Sequence, residues 1–322
     1  MMFKTCAFVL GIAAIALAAD PPLDKATLDR WMQELSNWGR WGKEDQMGTV
    51  NLITPAKRKA AAALVREGYS VSLSSDAETV KSADNEFPFE QEMIATGNDP
   101  NPMFGMDIYR TRYHGKVLTH MDALSHMFDQ GKMYNGYSQA EVNRQGAQKL
   151  SVIAYKNGLV SRGILMDIPI LKGVKYLEPS VAIVPADLDA WEKKAGIKVT
   201  SGDIVFVRTG RWARRAEKGP WNTEIQAAGM HASRAQWFHQ RDVAMVGSDT
   251  HGELMPSPVK GVAFPMHQLL LIAMGTPMFD NCDLEPLSRE AATRKRWEFF
   301  FTAAPLAVPK GTGSPVNPIA IF

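Results

Sequence analysis

Within Thr119-His120-Met121-Asp122-Ala123-Leu124-Ser125-His126, two imidazoles flank a carboxylate, in a chain that has only 7 histidines. On a strand, His120 and Asp122 fall on one face, because side chains alternate with a period of two. His126 lies four residues further on, past an expected bend. Two imidazoles and a carboxylate converging in this way suit a borderline divalent cation, zinc or manganese. The competing reading is three unrelated polar residues on a half-exposed strand, and spacing alone does not decide between them. His251, in Gly247-Ser248-Asp249-Thr250-His251-Gly252-Glu253, follows an expected strand and is a second candidate, since polar loops after strands commonly carry function. Its alternative is a capped turn in which Asp249 bonds its own backbone. His231 and His239 read as solvated residues on or beside a surface helix. Cysteine chemistry contributes nothing: the chain has only Cys6 and Cys282, so any metal must use histidine and carboxylate.

The elements that must hold these residues alternate between strand and helix without a regular βαβ rhythm, which predicts one mixed α/β domain rather than a doubly wound sheet. Helices are expected over Leu23 to Leu35 and from Pro55 toward Gly68, the second with Thr54 as cap, Pro55 at the first position and Gly68 as stop. Further helices are expected over Pro185 to Lys194, Ser233 to Gln240 and Met266 to Met274, and a short helix where Ser138 and Glu141 form a capping box. Strands are expected at Tyr69 to Ser74, Val117 to Asp122, Ile164 to Ile168, Asp203 to Thr209, Val243 to Gly247 and Trp297 to Thr302. Residues 76–110 are polar and broken by Pro and Gly, and read as a long excursion near the mouth of the site. The tail from Pro309 to Pro318 is turn-rich.

Hydrophobic residues make up 45% of the 322 and charged residues 22%, so a packed core is expected. Lysine plus arginine total 36 against 34 acidic residues, a net charge of +2 that gives no reason to expect nucleic acid or an anionic membrane as partner. Residues 1–19 have the form of a signal peptide. Lys4 precedes an apolar run from Cys6 to Ala19 that is too short to span a bilayer, and Ala16-Leu17-Ala18 offers a cleavage site. The expectation is an exported protein, periplasmic or secreted, whose mature chain (residues 20–322) keeps one cysteine and no intramolecular disulfide.

The stretch Lys116-Val117-Leu118-Thr119-His120-Met121-Asp122-Ala123-Leu124-Ser125-His126 resembles the signature H-x-G-T-H-x-D-A-P-x-H of the cyclase or kynurenine-formamidase-like family of metal-dependent hydrolases. Trp41-Gly42-Lys43-Glu44-Asp45-Gln46-Met47-Gly48-Thr49-Val50-Asn51 is similar to the W-G-x-x-D-x-x-G-T-x-N of that family's longer branch. Gly131-Lys132-Met133-Tyr134-Asn135-Gly136, Leu165-Met166-Asp167-Ile168-Pro169 and Thr312-Gly313-Ser314-Pro315-Val316-Asn317-Pro318 follow in the family's order, so the likeness spans roughly residues 40–320.

The resemblance implies a swivelling β/β/α-type domain, a homodimer or homotetramer, and one or two zinc or manganese ions per chain. It also implies activated water attacking a small amide, formamide or lactam, as in arylformamidases and isatin hydrolases. It makes His120 and Asp122 metal ligands, with Asp122 able to bridge two ions, and His126 the general acid/base. From a second region it adds His267, opening a helix, and Asp280, an Asp where Glu is usual. It makes Trp41 a wall of the substrate pocket. Without the family, His267 reads equally as a cap or core histidine. One departure matters: Lys116 stands where the signature has its first ligand histidine, and a protonated lysine cannot ligate. Either one metal suffices, which is favoured, or His114 supplies the missing ligand from a shifted loop, or Lys116 takes over part of the metal's electrostatic role. Two other functions stay open: a cyclase or lyase on the same fold, and an exported binding protein that has lost catalysis.

Overall fold

Alternating burial along the longest strand shows how the sheet is built. In a computed structural model that describes residues 23–322, Leu159–Asp167 sends Ile164 and Met166 into one apolar layer and Leu165 into another. Such two-sided burial is the mark of a central strand covered on both faces. The strands of three residues or more are β1 (Ser70–Ser72), β2 (Glu90–Ala95), β3 (Met106–Arg110), β4 (His120–Asp122), β5 (Leu159–Asp167), β6 (Ile204–Arg208), β7 (Met245–Ser248), β8 (Met278–Asp280), β9 (Glu298–Ala303), β10 (Gly313–Pro315) and β11 (Ile319–Ile321). Nine of them form one sheet in the order β1-β11-β9-β5-β6-β7-β8-β4-β10. The run β5 to β8 is parallel, and every pairing outside it is antiparallel. The result is a mixed α/β domain, as expected, with a parallel centre that the irregular spacing of strands and helices had hidden.

Helices cover both faces. On one lie α1 (Lys25–Glu34), α4 (Pro185–Ala195) and α6 (Arg234–Gln240), together with a helix that starts as α7 (Pro265–His267) and continues in π form through Gln268–Met274. On the other lies α8 (Glu285–Arg294), packed through Leu287 and Ala291 against Phe299, Phe301 and Phe322. The remaining helices are α2 (Pro55–Ala62), α3 (Ile168–Lys172) and α5 (Arg211–Lys218). Thr54 caps α2 as expected, but the helix stops at Ala62, and beyond it Glu67 and Gly68 donate their amides to the carbonyl of Phe322. The α6 helix is not a surface helix. Ala235, Trp237 and Phe238 are buried, and so is His231 just before it, which corrects the solvated reading of that residue.

The excursion at 76–110 contains a hairpin, β2 with β3, that the sequence does not announce; Glu90–Ala95 has no clean alternation and all but its last residue is exposed. The segment before it is clamped to the body by charge. Asp84 meets Arg211 at 3.1 Å and Arg215 at 2.8 Å, and Arg215 also holds Glu78. The leader-like segment, residues 1–19, lies outside the described residues. Among the described residues no helix is long and apolar enough to cross a membrane.

Burial opposes the charge of Asp84, but the two guanidiniums outweigh it and hold the carboxyl below its ordinary value of 3.8. A carboxyl depressed by folding stabilises above its unfolded pKa, and that stabilisation is lost as pH falls through the folded one. Asp84→Asn leaves Arg211 buried without its counter-charge and should cost roughly 3 kcal/mol at pH 7. Urea unfolding at pH 7 and at pH 3 checks this: the difference between wild type and variant should shrink at the lower pH.

Candidate metal and active site

Two strands set the geometry. β4 pairs antiparallel with β8, and the register puts His120 opposite Asp280 and Asp122 opposite Met278. Met121 turns the other way into the core beneath. His120, Asp122 and Asp280 therefore share one face, the face over which the α7/π-helix lays His267. π-Helical turns are rare and often mark functional sites.

Asp122 is the hub. Its Oδ1 lies 2.8 Å from His114 Nδ1 and 3.4 Å from His120 Nε2. Its Oδ2 lies 3.6 Å from His267 Nε2 and 3.8 Å from His126 Nε2. His267 Nε2 also stands 3.7 Å from Asp280 Oδ2. These are approaches, not aligned hydrogen bonds: Asp122 Oδ1 and Oδ2, Asp280 Oδ1 and His114 Nδ1 are all buried without a hydrogen-bond partner among the described residues. Buried polar atoms left this way are costly unless something else satisfies them. The far nitrogens are pinned. His120 Nδ1 donates to the carbonyl of Leu118 at 2.9 Å, and His267 Nδ1 sits 2.9 Å from the buried Glu253 carboxylate. That leaves each Nε2 lone pair facing the carboxylates. An imidazole held by a carbonyl or carboxylate behind it is the usual support of a metal ligand. Two overlapping donor groups result, His114/Asp122/His126 and His120/Asp122/Asp280, and their residues fit a divalent cation.

The carboxylates that would attract a cation also attract protons. Burial opposes charge at Asp122, yet the surrounding imidazoles hold its pKa well below the ordinary value. Burial also opposes charge at His267, where Asp122, Asp280 and Glu253 prevail and raise the pKa well above normal. His120 is raised in the same way, by Asp122 and Asp280 against burial. His126 goes down to about 4, because burial and three neighbouring imidazoles outweigh the attraction of Asp122.

All of the expected cluster residues are thus brought together, apart from Trp41. Its ring is covered by the Arg40 guanidinium at 4.8 Å and lines neither cavity described here. The segment around it is architectural. Asp45 accepts from the amides of Met47 and Gly48, from Asn51 and from the Tyr134 hydroxyl, and Gly48, at φ +60°, abuts the carbonyl of Gly275 at the end of the π-helix. His251 lines the cavity, as does Lys116. His114 answers the departure at position 116. It approaches Asp122, stacks on His126 with 3.9 Å between ring centroids, and meets Thr312 Oγ1 through Nε2 at 3.1 Å. Gly313 makes room for it, since a Cβ there would stand 2.8 Å from the His114 ring. Asp249 does not close its own turn, but accepts the amides of Thr209, Gly210 and Arg211 at the start of α5.

Sequence reasoning missed Glu253, the support of His267. It also missed Asn281, which ties β8 to the carbonyls of Gly115 and Leu118 and accepts from Arg211. Neither has a signal of its own, because both partners are remote in sequence.

The family model described as "Putative cyclase" matches residues 40–253. The chain belongs to the cyclase family. A crystal structure of a novel cyclase is 32% identical to it, with a TM-score of 0.79 over 90% of this chain and 98% of that one. Two isatin hydrolases share the cyclase fold at lower identity. Isatin hydrolase A from Labrenzia aggregata is 19% identical, with a TM-score of 0.56 over 81% of this chain and 94% of its own. The enzyme from Ralstonia solanacearum is 20% identical, with a TM-score of 0.56 over 84% and 98%. A search of curated proteins finds no match.

Removing the hub or its support should separate two effects. Asp122→Ala should abolish stoichiometric divalent metal in the purified protein. Glu253→Gln should keep the fold and weaken the metal about 10- to 100-fold. Elemental analysis and competition with a chelator read both. Full metal content in Asp122→Ala would mean that the donor set is wrongly drawn.

Proposed function

We propose that this cyclase-family protein is a metal-dependent hydrolase that cleaves a C–N bond of a small amide, formamide or lactam. One observation carries the reading: buried carboxylate oxygens of Asp122 and Asp280, without hydrogen-bond partners, face the imidazoles of His114, His120, His126 and His267 at the floor of a cavity. His114, His120, Asp122, His267 and Asp280 would hold zinc or manganese, and Asp122, common to both donor groups, is the natural bridge should two ions bind. When bound, the metal lowers the pKa of a water molecule toward neutrality and polarises a carbonyl.

The residues around it divide the remaining work. The side chains of His126 and His114 are 27% and 23% exposed, against 1–6% for Asp122, His120, Asp280 and His267. His126 is the more open of the two, and its depressed pKa leaves it neutral near pH 7, so its Nε2 can take a proton from the attacking water and return it to the leaving nitrogen. The cavity over the cluster is small, about 80 Å³, and Met127 and Phe264 add apolar wall beside it. Low local polarity strengthens each charge interaction made during the reaction. Export to the periplasm or medium, and assembly as a homodimer or homotetramer, complete the proposal and rest on the leader-like segment and the family resemblance.

His126→Ala should retain metal and lose turnover by about 100-fold or more, the usual worth of a positioned acid/base. The assay is release of amine from a panel of simple amides and lactams by the metal-loaded protein, alongside elemental analysis. Loss of metal together with turnover would make His126 a ligand rather than the acid/base.

A further inference from the structure

Two polar groups on the wall of the small cavity, beside the ligand cluster, have no partner in the chemistry so far described. His251 is buried, and its Nε2 lies 3.0 Å from the carbonyl of Thr223. A carbonyl only accepts, so Nε2 carries the hydrogen and Nδ1 is left as a bare lone pair. That Nδ1 is buried without a hydrogen-bond partner, and it belongs to neither donor group around Asp122. Burial first, and then the charge of Lys116, push the imidazole down to about 3, so it stays a neutral acceptor.

Lys116 is the second group. Its side chain is 21% exposed and makes no hydrogen bond among the described residues. The nearest carboxylate is the largely exposed Glu224, at 3.7 Å, and the ammonium lies 5.5 Å from the Phe264 ring centroid. It borders both the small cavity and a larger one of about 280 Å³ that opens beside it. A largely withdrawn ammonium with no hydrogen bond is poorly satisfied as it stands, and a ligand anion would complete it.

We propose that Lys116 and His251 select the substrate: Lys116 takes a carboxylate, His251 Nδ1 accepts the neighbouring amide N–H, and the substrate class is an N-acylated amino acid or a close cyclic relative. This rests on the hydrolase reading. The class follows from compactness. Lys116 and His251 line the same small cavity, and in an N-acyl amino acid the carboxylate and the N–H are held by the same carbon. The acyl carbonyl then points from the N–H toward the Asp122 cluster on the cavity floor. The larger cavity beside Lys116 leaves room for the amino-acid side chain.

The test is equilibrium binding of two probes, N-acetylglycine and its neutral analogue N-acetylglycinamide, to the metal-loaded full chain by titration calorimetry at low salt. Wild type should prefer the carboxylate about tenfold, which corresponds to about 1.4 kcal/mol. Lys116→Met should erase that preference without changing the neutral probe, and Lys116→Arg should restore part of it. His251→Phe should weaken both probes alike, since both carry the N–H. Equal binding of the two probes by wild type, no binding of either, or a preference that survives Lys116→Met would overturn the proposal. In the last case the metal alone holds the carboxylate. Hydrolysis is scored separately by release of glycine or glycinamide. A Lys116-dependent preference without hydrolysis would support the recognition pair and sink the hydrolase, whereas hydrolysis without the preference would do the reverse.

Discussion

The pairing of β4 with β8 is the constraint from which the rest of the site follows. Two three-residue strands carry three of the polar side chains that must converge, and their antiparallel register puts His120 opposite Asp280. Because side chains alternate, a slip of one residue would turn His120 and Asp122 into the core that now receives Met121. Register is therefore held from several sides. Phe279 packs below the sheet, β10 pairs with the other edge of β4, and Thr119 donates from its hydroxyl to the carbonyl of Asn281. Much of the surrounding polar structure serves that same alignment.

The second layer explains how so many ionisable groups survive burial. Asp122, Asp280, His120 and His267 are all nearly sealed from water, which no isolated charge tolerates. Three of the four imidazoles are oriented from behind, by the Leu118 carbonyl, by Glu253 or by Thr312. Rotation that would bring donors to the carboxylates is thereby blocked for His120, whose Nδ1 hydrogen is already committed. A cation entering the cluster would recover the free energy of keeping it unpaired, and the affinity of the site would be the other side of that cost.

How much of this could be read from the chain depends on the range of the interaction. The His120-Met121-Asp122 alternation is local, so strand period alone placed both side chains on one face. The helix opening at His267 and its Gly275 stop are local too. The position of His114 is not. Lys116 occupies the matching place in the signature, and His114 reaches Asp122 only because Gly313, almost two hundred residues later, leaves space beside its ring. Glu253 is silent in sequence for the same reason. Trp41 is a different case: Asp45 and Gly48 of its motif build the frame at the end of the π-helix, and the Trp41 ring lines neither of the two cavities around the cluster. The hairpin β2–β3 escaped because its strands are exposed and carry no period-two burial pattern to read.

Position 116 also changes the charge of the site, not only its ligand count. A histidine ligand is neutral when it binds metal, whereas lysine adds a full positive charge at the rim while His114 takes over the approach to Asp122. With one divalent cation held against Asp122 and Asp280, the two carboxylates balance the ion, and Glu253 is matched to His267. The charge of Lys116 is then met only by the exposed Glu224, 3.7 Å away. A cation so weakly paired at the cavity wall attracts anions and repels cationic amines, acting over the several ångströms where screening by salt is still weak. The substitution that looks like damage to the metal site thus has a consistent reading as selectivity. It keeps the number of imidazoles near Asp122 and supplies, at the cavity wall, a charge that a neutral ligand could not.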